Sequence, residues 1–187
     1  CAAAALHALG RSGEIISRFK DESLAPLVLQ LLDRGLAPPT SSAGRWFDAA
    51  CGLLGLHWHS QYEGQAPMAL EAAFTDAQIV DGGWAIEAGV LDLRRLLAAL
   101  AEPGLDARSG SNRFHGTLIA ALADWVVQAA SATGLRQVAL SGGCLLNRVL
   151  AEGLSSALRQ RGLLPLLPRL LPPNDGAISL GQVYAAR

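Results

Sequence analysis

Two short motifs hold the residues with most chemistry to offer. One is Ser141-Gly142-Gly143-Cys144-Leu145-Leu146-Asn147, and the other, further along, is Pro172-Pro173-Asn174-Asp175-Gly176. Val138-Ala139-Leu140 reads as a short buried strand and Leu145 onward as a helix, so the glycine pair falls at a strand-to-helix junction. Glycine there lets backbone N–H groups approach an anion, and a helix N-terminus adds partial positive charge. With Asp175 at a second helix start, the pattern suggests a nucleotide or phosphate site with room for a metal. Glycine pairs also close strand–helix turns for steric reasons alone. The ligand reading therefore leans on Asn147, which one turn into the predicted helix would reach back over the loop, or else would stand exposed with no role.

Asp175 is either an N-cap or, if Asn174 takes that role, a carboxylate left for a ligand or metal. Divalent iron or zinc would also want imidazoles. His57 and His59 share a face of an extended segment, while His7 and His115 stand singly on helices and read as structural or solvated. Most ligands of any metal are therefore expected outside this chain. Asp48, within Arg45-Trp46-Phe47-Asp48-Ala49-Ala50, is one charge among apolar residues. It lies on an exposed stripe or faces a cleft, where ribose hydroxyls would suit it. Tyr62-Glu63-Gly64-Gln65 is a polar turn that could close the other side of that cleft. Cys144 begins a predicted helix, where thiol pKa values tend to fall; a small apolar residue in a tight turn is the plainer reading. Ser-His-Asp, P-loop and Rossmann patterns do not occur.

The elements that must position these residues are mostly helical. Helices are predicted near 1–10, over 24–33, from the caps Thr40-Ser41-Ser42 to Gly55, and over 66–74. Short strands at 84–86 and 90–91 precede a helix at 93–101 capped by Asp92. Ser109 to Ser111 are expected to cap a long helix over 112–132, with Phe114, Leu118, Leu122, Trp125 and Ala129 on one face. Strand 136–140, helix 145–161, strand 163–167 and helix 176–186 close the chain. Residues 1–39 read as a helical segment leading into a lobe over 40–187. The expected class is helix-rich α/β.

The 187 residues are 51% hydrophobic and 17% charged, enough for a buried core and too apolar for a disordered chain. Net charge is −1 without a basic run, which argues against a nucleic-acid surface. The three cysteines form no CxxC pair, and the expectation is reduced thiols in a cytoplasmic protein. No apolar run is long enough for a membrane span. Cys1 in place of an initiator methionine suggests a segment of something longer.

The ordered set of motifs resembles the C-terminal part of the hydrogenase maturation carbamoyltransferase HypF family. Ser41 to Ala50 with Leu53-Leu54-Gly55-Leu56, Tyr62 to Glu71, Arg113-Phe114-His115, Leu140 to Arg148 and Pro172 to Gln182 carry the likeness. The resemblance implies one lobe of an actin-like ATPase (ASKHA, RNase H-like) fold, related to the threonylcarbamoyl transferase TsaD and to antibiotic O-carbamoyltransferases. Its implied reaction passes a carbamoyl group from carbamoyl-adenylate, made from carbamoyl phosphate and ATP, to the C-terminal cysteine of HypE. Carried over, Asp48 would bind ribose, Gly64 and Gln65 would border the nucleotide, and Gly142 and Gly143 would approach the phosphate. Asn147 would contact the nucleotide and Asp175 would ligate a divalent iron or zinc. Ala177 stands where a glycine is expected. The histidine-rich metal motif, first lobe, acylphosphatase, zinc-finger and adenylate-forming modules would all precede Cys1, so this chain would hold half a site and transfer nothing alone. HypE and those upstream modules are the expected partners, without nucleic acid or membrane. The rival expectations are a related O-carbamoyl- or threonylcarbamoyl-transferase lobe and a non-catalytic lobe that docks HypE.

Overall fold

A 27-residue helix organises the molecule. The computed structural model describes residues 1–186. Three helices, α1 (Ala2–Ala8), α2 (Ile15–Arg18) and α3 (Ala25–Asp33), lead into α4 (Ala43–Leu53) and α5 (Gln65–Ala73). A hairpin of β1 (Ala85–Glu87) and β2 (Val90–Asp92) precedes α6 (Arg94–Leu100) and the long helix α7 (Ala107–Thr133). Strand β3 (Gln137–Ala139), helix α8 (Arg148–Gln160) and strand β4 (Leu164–Leu166) then form a βαβ unit, and α9 (Ile178–Ala185) follows. β1 and β2 pair antiparallel with Ile86 opposite Leu91, while β3 and β4 pair parallel with Val138 opposite Pro165. The helix-rich α/β class is as expected, with two separate two-stranded sheets.

The core lies where α4, α5, α6 and α8 pack on α7, with α1 laid against α4 and α6. Leu6, Phe47, Leu70, Leu96, Phe114 and Leu158 are fully buried there. Phe47 meets Phe114 edge-to-face with centroids 4.8 Å apart, a geometry that aromatic quadrupoles favour. Glycine permits the closest approaches to α7: a Cβ on Gly110 would fall 2.1 Å from the Leu54 side chain, and one on Gly116 would fall 2.4 Å from the Gln78 carbonyl oxygen. The segment at 75–80 is stitched to the same helix, with Asn112 Oδ1 accepting from Thr75 N (2.8 Å) and Thr117 Oγ1 from Val80 N (2.9 Å). At the far end, Arg11 and Arg18 both donate to the Ala101 carbonyl at the C-terminus of α6, at 3.2 and 2.7 Å. Cations there meet the partial negative charge of exposed helix carbonyls.

Two boundaries depart from expectation. Helix α7 starts at Ala107, capped by Asp106, whose carboxylate accepts from Ser109 N at 2.9 Å. Ser111 and Asn112 lie inside the helix, buried with partners of their own, because Asp106 reaches the free N–H groups first. The predicted helix at 145–161 is two pieces. Residues Gly143–Leu146 make a 3-10 turn, Asn147 is extended at φ −68° and ψ 112°, and α8 begins after it. Asn147 is thus the cap of α8, 4% exposed, and neither a residue one turn into a helix nor an exposed polar position.

Candidate functional site

The glycine motif and the proline motif meet. Gly142 donates its N–H to the Pro173 carbonyl at 2.7 Å, and Ser141 Oγ donates to the same oxygen at 3.2 Å. Gly142 adopts φ 113° and ψ 155°, a region nearly confined to glycine. Gly143 differs: its φ is not positive, and a Cβ there would meet nothing within 4 Å. Neither backbone strain nor packing within this chain requires glycine at 143. The open space lies at the start of the 3-10 turn, where backbone N–H groups have no partner within the turn.

The first turn of α4 approaches this loop. A Cβ on Gly44 would lie 4.0 Å from Cys144 Sγ, and Asp48 sits one turn further along α4. Asp48 is paired with Arg45 at 2.9 Å, its side chain 23% exposed. Burial pushes the Cys144 thiol pKa up, and the Asp48 carboxylate adds to the rise while Arg45 opposes it. The lowering expected at a helix start is therefore reversed, because desolvation outweighs a short 3-10 turn. Cys144 is a half-buried thiol with no sign of a nucleophile.

Asp48 also lines a pocket of about 290 Å³, walled by Cys1, Phe19, Glu22, His57, Trp58 and Ala66 among others. His59 Nε2 meets the Glu22 carboxylate at its edge, and Phe19 meets Trp58 edge-to-face. Ala66 brings the start of α5 to this pocket. Just before it, Gly64 takes φ 85° at the N-cap position, and Gln65 Oε1 accepts from Gln61 N at 2.7 Å. Neither Gly64 nor Gln65 lines the pocket, and neither does the Gly142–Gly143 turn.

Asn174 takes the capping role, its Oδ1 accepting from Gly176 N at 3.2 Å, and Asp175 opens the 3-10 turn Asp175–Ala177 with an exposed side chain. Among the described residues, no three His, Cys, Asp or Glu side chains converge as a metal site, so the donor set present does not fit a divalent ion by itself. Asn147 has both ends of its amide engaged: Oδ1 accepts from Leu150 N at 2.9 Å, and Nδ2 lies 3.3 Å from His115 Nε2. His115 is fully buried, and sequence reasoning, which read it as structural or solvated, missed its contact with Asn147. It also missed Glu71, whose carboxylate accepts from Arg148 N at 2.9 Å beside Asn147. Ser111 and His115 one helical turn apart, beside Phe114, were the available signal.

Residues 1–182 match the family described as carbamoyltransferase, Kae1-like domain, second subdomain. The chain belongs to this HypF carbamoyltransferase family. It is 54% identical over 151 residues to a carbamoyltransferase HypF of Rhizobium leguminosarum bv. viciae, covering 80% of this chain and 20% of that protein. It is 45% identical over 216 aligned residues to HypF2 of Cupriavidus necator, covering 99% of this chain and 27% of that one. The chain thus spans about a fifth to a quarter of these HypF relatives. A crystal structure of full-length HypF in a phosphate- and nucleotide-bound form superposes with TM-score 0.80 at 28% identity, over 98% of this chain and 26% of that one. HypF of T. kodakarensis shares the fold, with TM-score 0.76 at 24% identity over 92% of this chain and 23% of that one. Among the described residues no helix is long and apolar enough to cross a membrane.

Proposed function

We propose that this chain forms one wall of the nucleotide cleft of a cytoplasmic HypF carbamoyltransferase, as one lobe of an actin-like fold. The reaction moves a carbamoyl group from carbamoyl-adenylate to the C-terminal cysteine of HypE, toward the cyanide ligands of nickel–iron hydrogenase. The observation that carries this reading is Gly143. Its missing side chain answers to nothing inside the chain and leaves open space at a cluster of backbone donors, as a phosphate would need.

In this arrangement the turn at Gly143 faces the phosphate of AMP, and Gly142 holds that turn on the Pro173 segment. Asp48 accepts from ribose hydroxyls, with Arg45 holding its carboxylate in place at 2.9 Å. Gly64 and Gln65 border the nucleotide at the start of α5. A divalent iron or zinc, were one bound here, would find a carboxylate oxygen of Asp175 and would need its other ligands from outside these residues. The thiolate of HypE attacks the carbamoyl carbon, a C–S bond forms, the C–O bond to the phosphate breaks, and AMP leaves. The nucleophile belongs to the partner, which agrees with the raised thiol pKa of Cys144.

Isothermal titration of AMP tests the reading. Saturable binding is expected, weakened at least about tenfold (roughly 1.4 kcal/mol) by Asp48→Ala and by Gly143→Ala with melting temperature preserved. A folded sample that binds no AMP, or variants that bind as well as the unaltered protein, would overturn it. A second reading, a docking lobe without a nucleotide site, draws on α9, where Ile178, Leu180, Val183 and Tyr184 are all exposed. HypE capture without AMP binding would favour that reading.

A further inference from the structure

We propose that His115 is a positioning residue for the nucleotide loop, acting through Asn147. The inference rests on reading the Gly142–Gly143 turn as the phosphate site. The imidazole is enclosed by Phe47 of α4, Phe74 at the end of α5 and Phe114 of its own helix, with centroids 6.0, 5.3 and 5.4 Å away. Its Nδ1 lies 3.0 Å from the Ser111 carbonyl, which can only accept, so Nδ1 carries the hydrogen. Ser111 Oγ, 3.2 Å away, donates its own hydrogen to the Leu70 carbonyl and agrees with that assignment. In the neutral ring Nε2 is then an acceptor, and it faces Asn147 Nδ2 at 3.3 Å.

This tautomer fixes which end of the Asn147 amide points where. With Nδ2 turned to His115, Oδ1 accepts from Leu150 N and caps α8. The backbone N–H of Asn147 donates to the Cys144 carbonyl at 3.2 Å, closing the turn that begins at Gly143. A protonated ring would present two donors, and Nδ2 would face one of them. Relieving that contact by an amide flip would aim Nδ2 at Leu150 N–H and remove the cap. The protonation and tautomer of His115 are thereby coupled to the placement of Gly143.

The groups facing the ring are few. Phe47, Phe114 and Ser111 on α4 and α7 are uncharged, as are Leu70 and Phe74 of the α5 segment. Glu71 of α5 is the charge that reaches His115, favouring protonation, and its carboxylate is held by Arg148 N. Burial opposes protonation and prevails.

The test combines nitrogen-15 imidazole NMR of the unaltered protein with AMP titration of His115→Leu and His115→Gln. Expected are an Nδ1–H tautomer at pH 7.5, an AMP affinity about tenfold weaker in His115→Leu, and recovery to within about threefold in His115→Gln, which restores an acceptor for Asn147. An Nε2–H tautomer, or equal affinity in all three proteins, would overturn the proposal. A His115→Leu protein that does not fold leaves the tautomer and the pH profile of AMP affinity to decide, the affinity being expected to weaken as the ring protonates. Should the unaltered protein bind no AMP, the nucleotide reading falls. The amide shifts of Gly143 and Cys144 would then decide the link to the turn. Shifts displaced by His115→Leu and restored by His115→Gln would uphold it, and unmoved shifts would refute it.

Discussion

Gly142 N–H and the Pro173 carbonyl, 2.7 Å apart, join two motifs far separated in sequence. Gly142 makes this bond while turned to φ 113° and ψ 155°. An alanine there must either hold a conformation that L side chains rarely adopt or give up the bond. Gly142→Ala is therefore expected to lose about 1–3 kcal/mol of stability, read as a lower urea midpoint.

Gly143→Ala should separate from that neighbour. With no positive φ and open space around it, the new methyl group displaces nothing in the chain, and the stability change should stay within about 0.5 kcal/mol. AMP affinity should fall all the same, because the methyl group occupies the approach to the turn. Denaturation and titration on the same pair of variants would show one residue serving the loop's shape and the other its access.

Much of this arrangement was legible in the sequence, and the misreadings have specific causes. The β3–α8–β4 unit and the burial of Phe114 and Leu118 on α7 follow from hydrophobic periodicity, although Trp125 and Ala129, expected on the same face, are exposed. Gly55 ends α4 at positive φ, as its type suggests. The start of α7 was misplaced because Ser109 and Asp106 are both good caps, and only the structure shows that Asp106 accepts from Ser109 N. Residues 145–161 read as one helix because a 3-10 turn and an α-helix share an apolar pattern across the break at Asn147. His115 gave little warning. Its partner Asn147 comes from another element 32 residues away, a distance that periodicity cannot bridge.

The buried imidazole gives a pH dependence of definite sign. An unfolded histidine titrates near about pH 6.5, whereas burial holds the folded His115 pKa lower. Above the unfolded pKa both states are neutral and the contribution to stability is full. As pH falls below it, the unfolded chain takes up a proton that the folded protein refuses, so stability declines until the folded pKa is reached and then levels. Unfolding free energy measured from pH 7.5 down to 5 should fall, and His115→Gln should flatten that part of the profile. An unchanged slope in the variant would assign the decline to other groups.

The same pair of side chains gives a double-mutant cycle. Asn147→Ala removes the cap of α8, worth about 1 kcal/mol, and leaves the His115 Nε2 lone pair buried without a donor, a further cost of about 1–3 kcal/mol. His115→Leu alone strands Asn147 Nδ2 and loses the bond to the Ser111 carbonyl. In the double variant neither partner is left facing an empty acceptor or donor across the 3.3 Å contact. Its destabilisation should therefore be smaller than the sum of the single variants by about 1 kcal/mol, within the range found for directly contacting polar pairs. Strict additivity in urea denaturation would mean that Asn147 serves α8 alone, and that the imidazole has no purchase on the turn at Gly143.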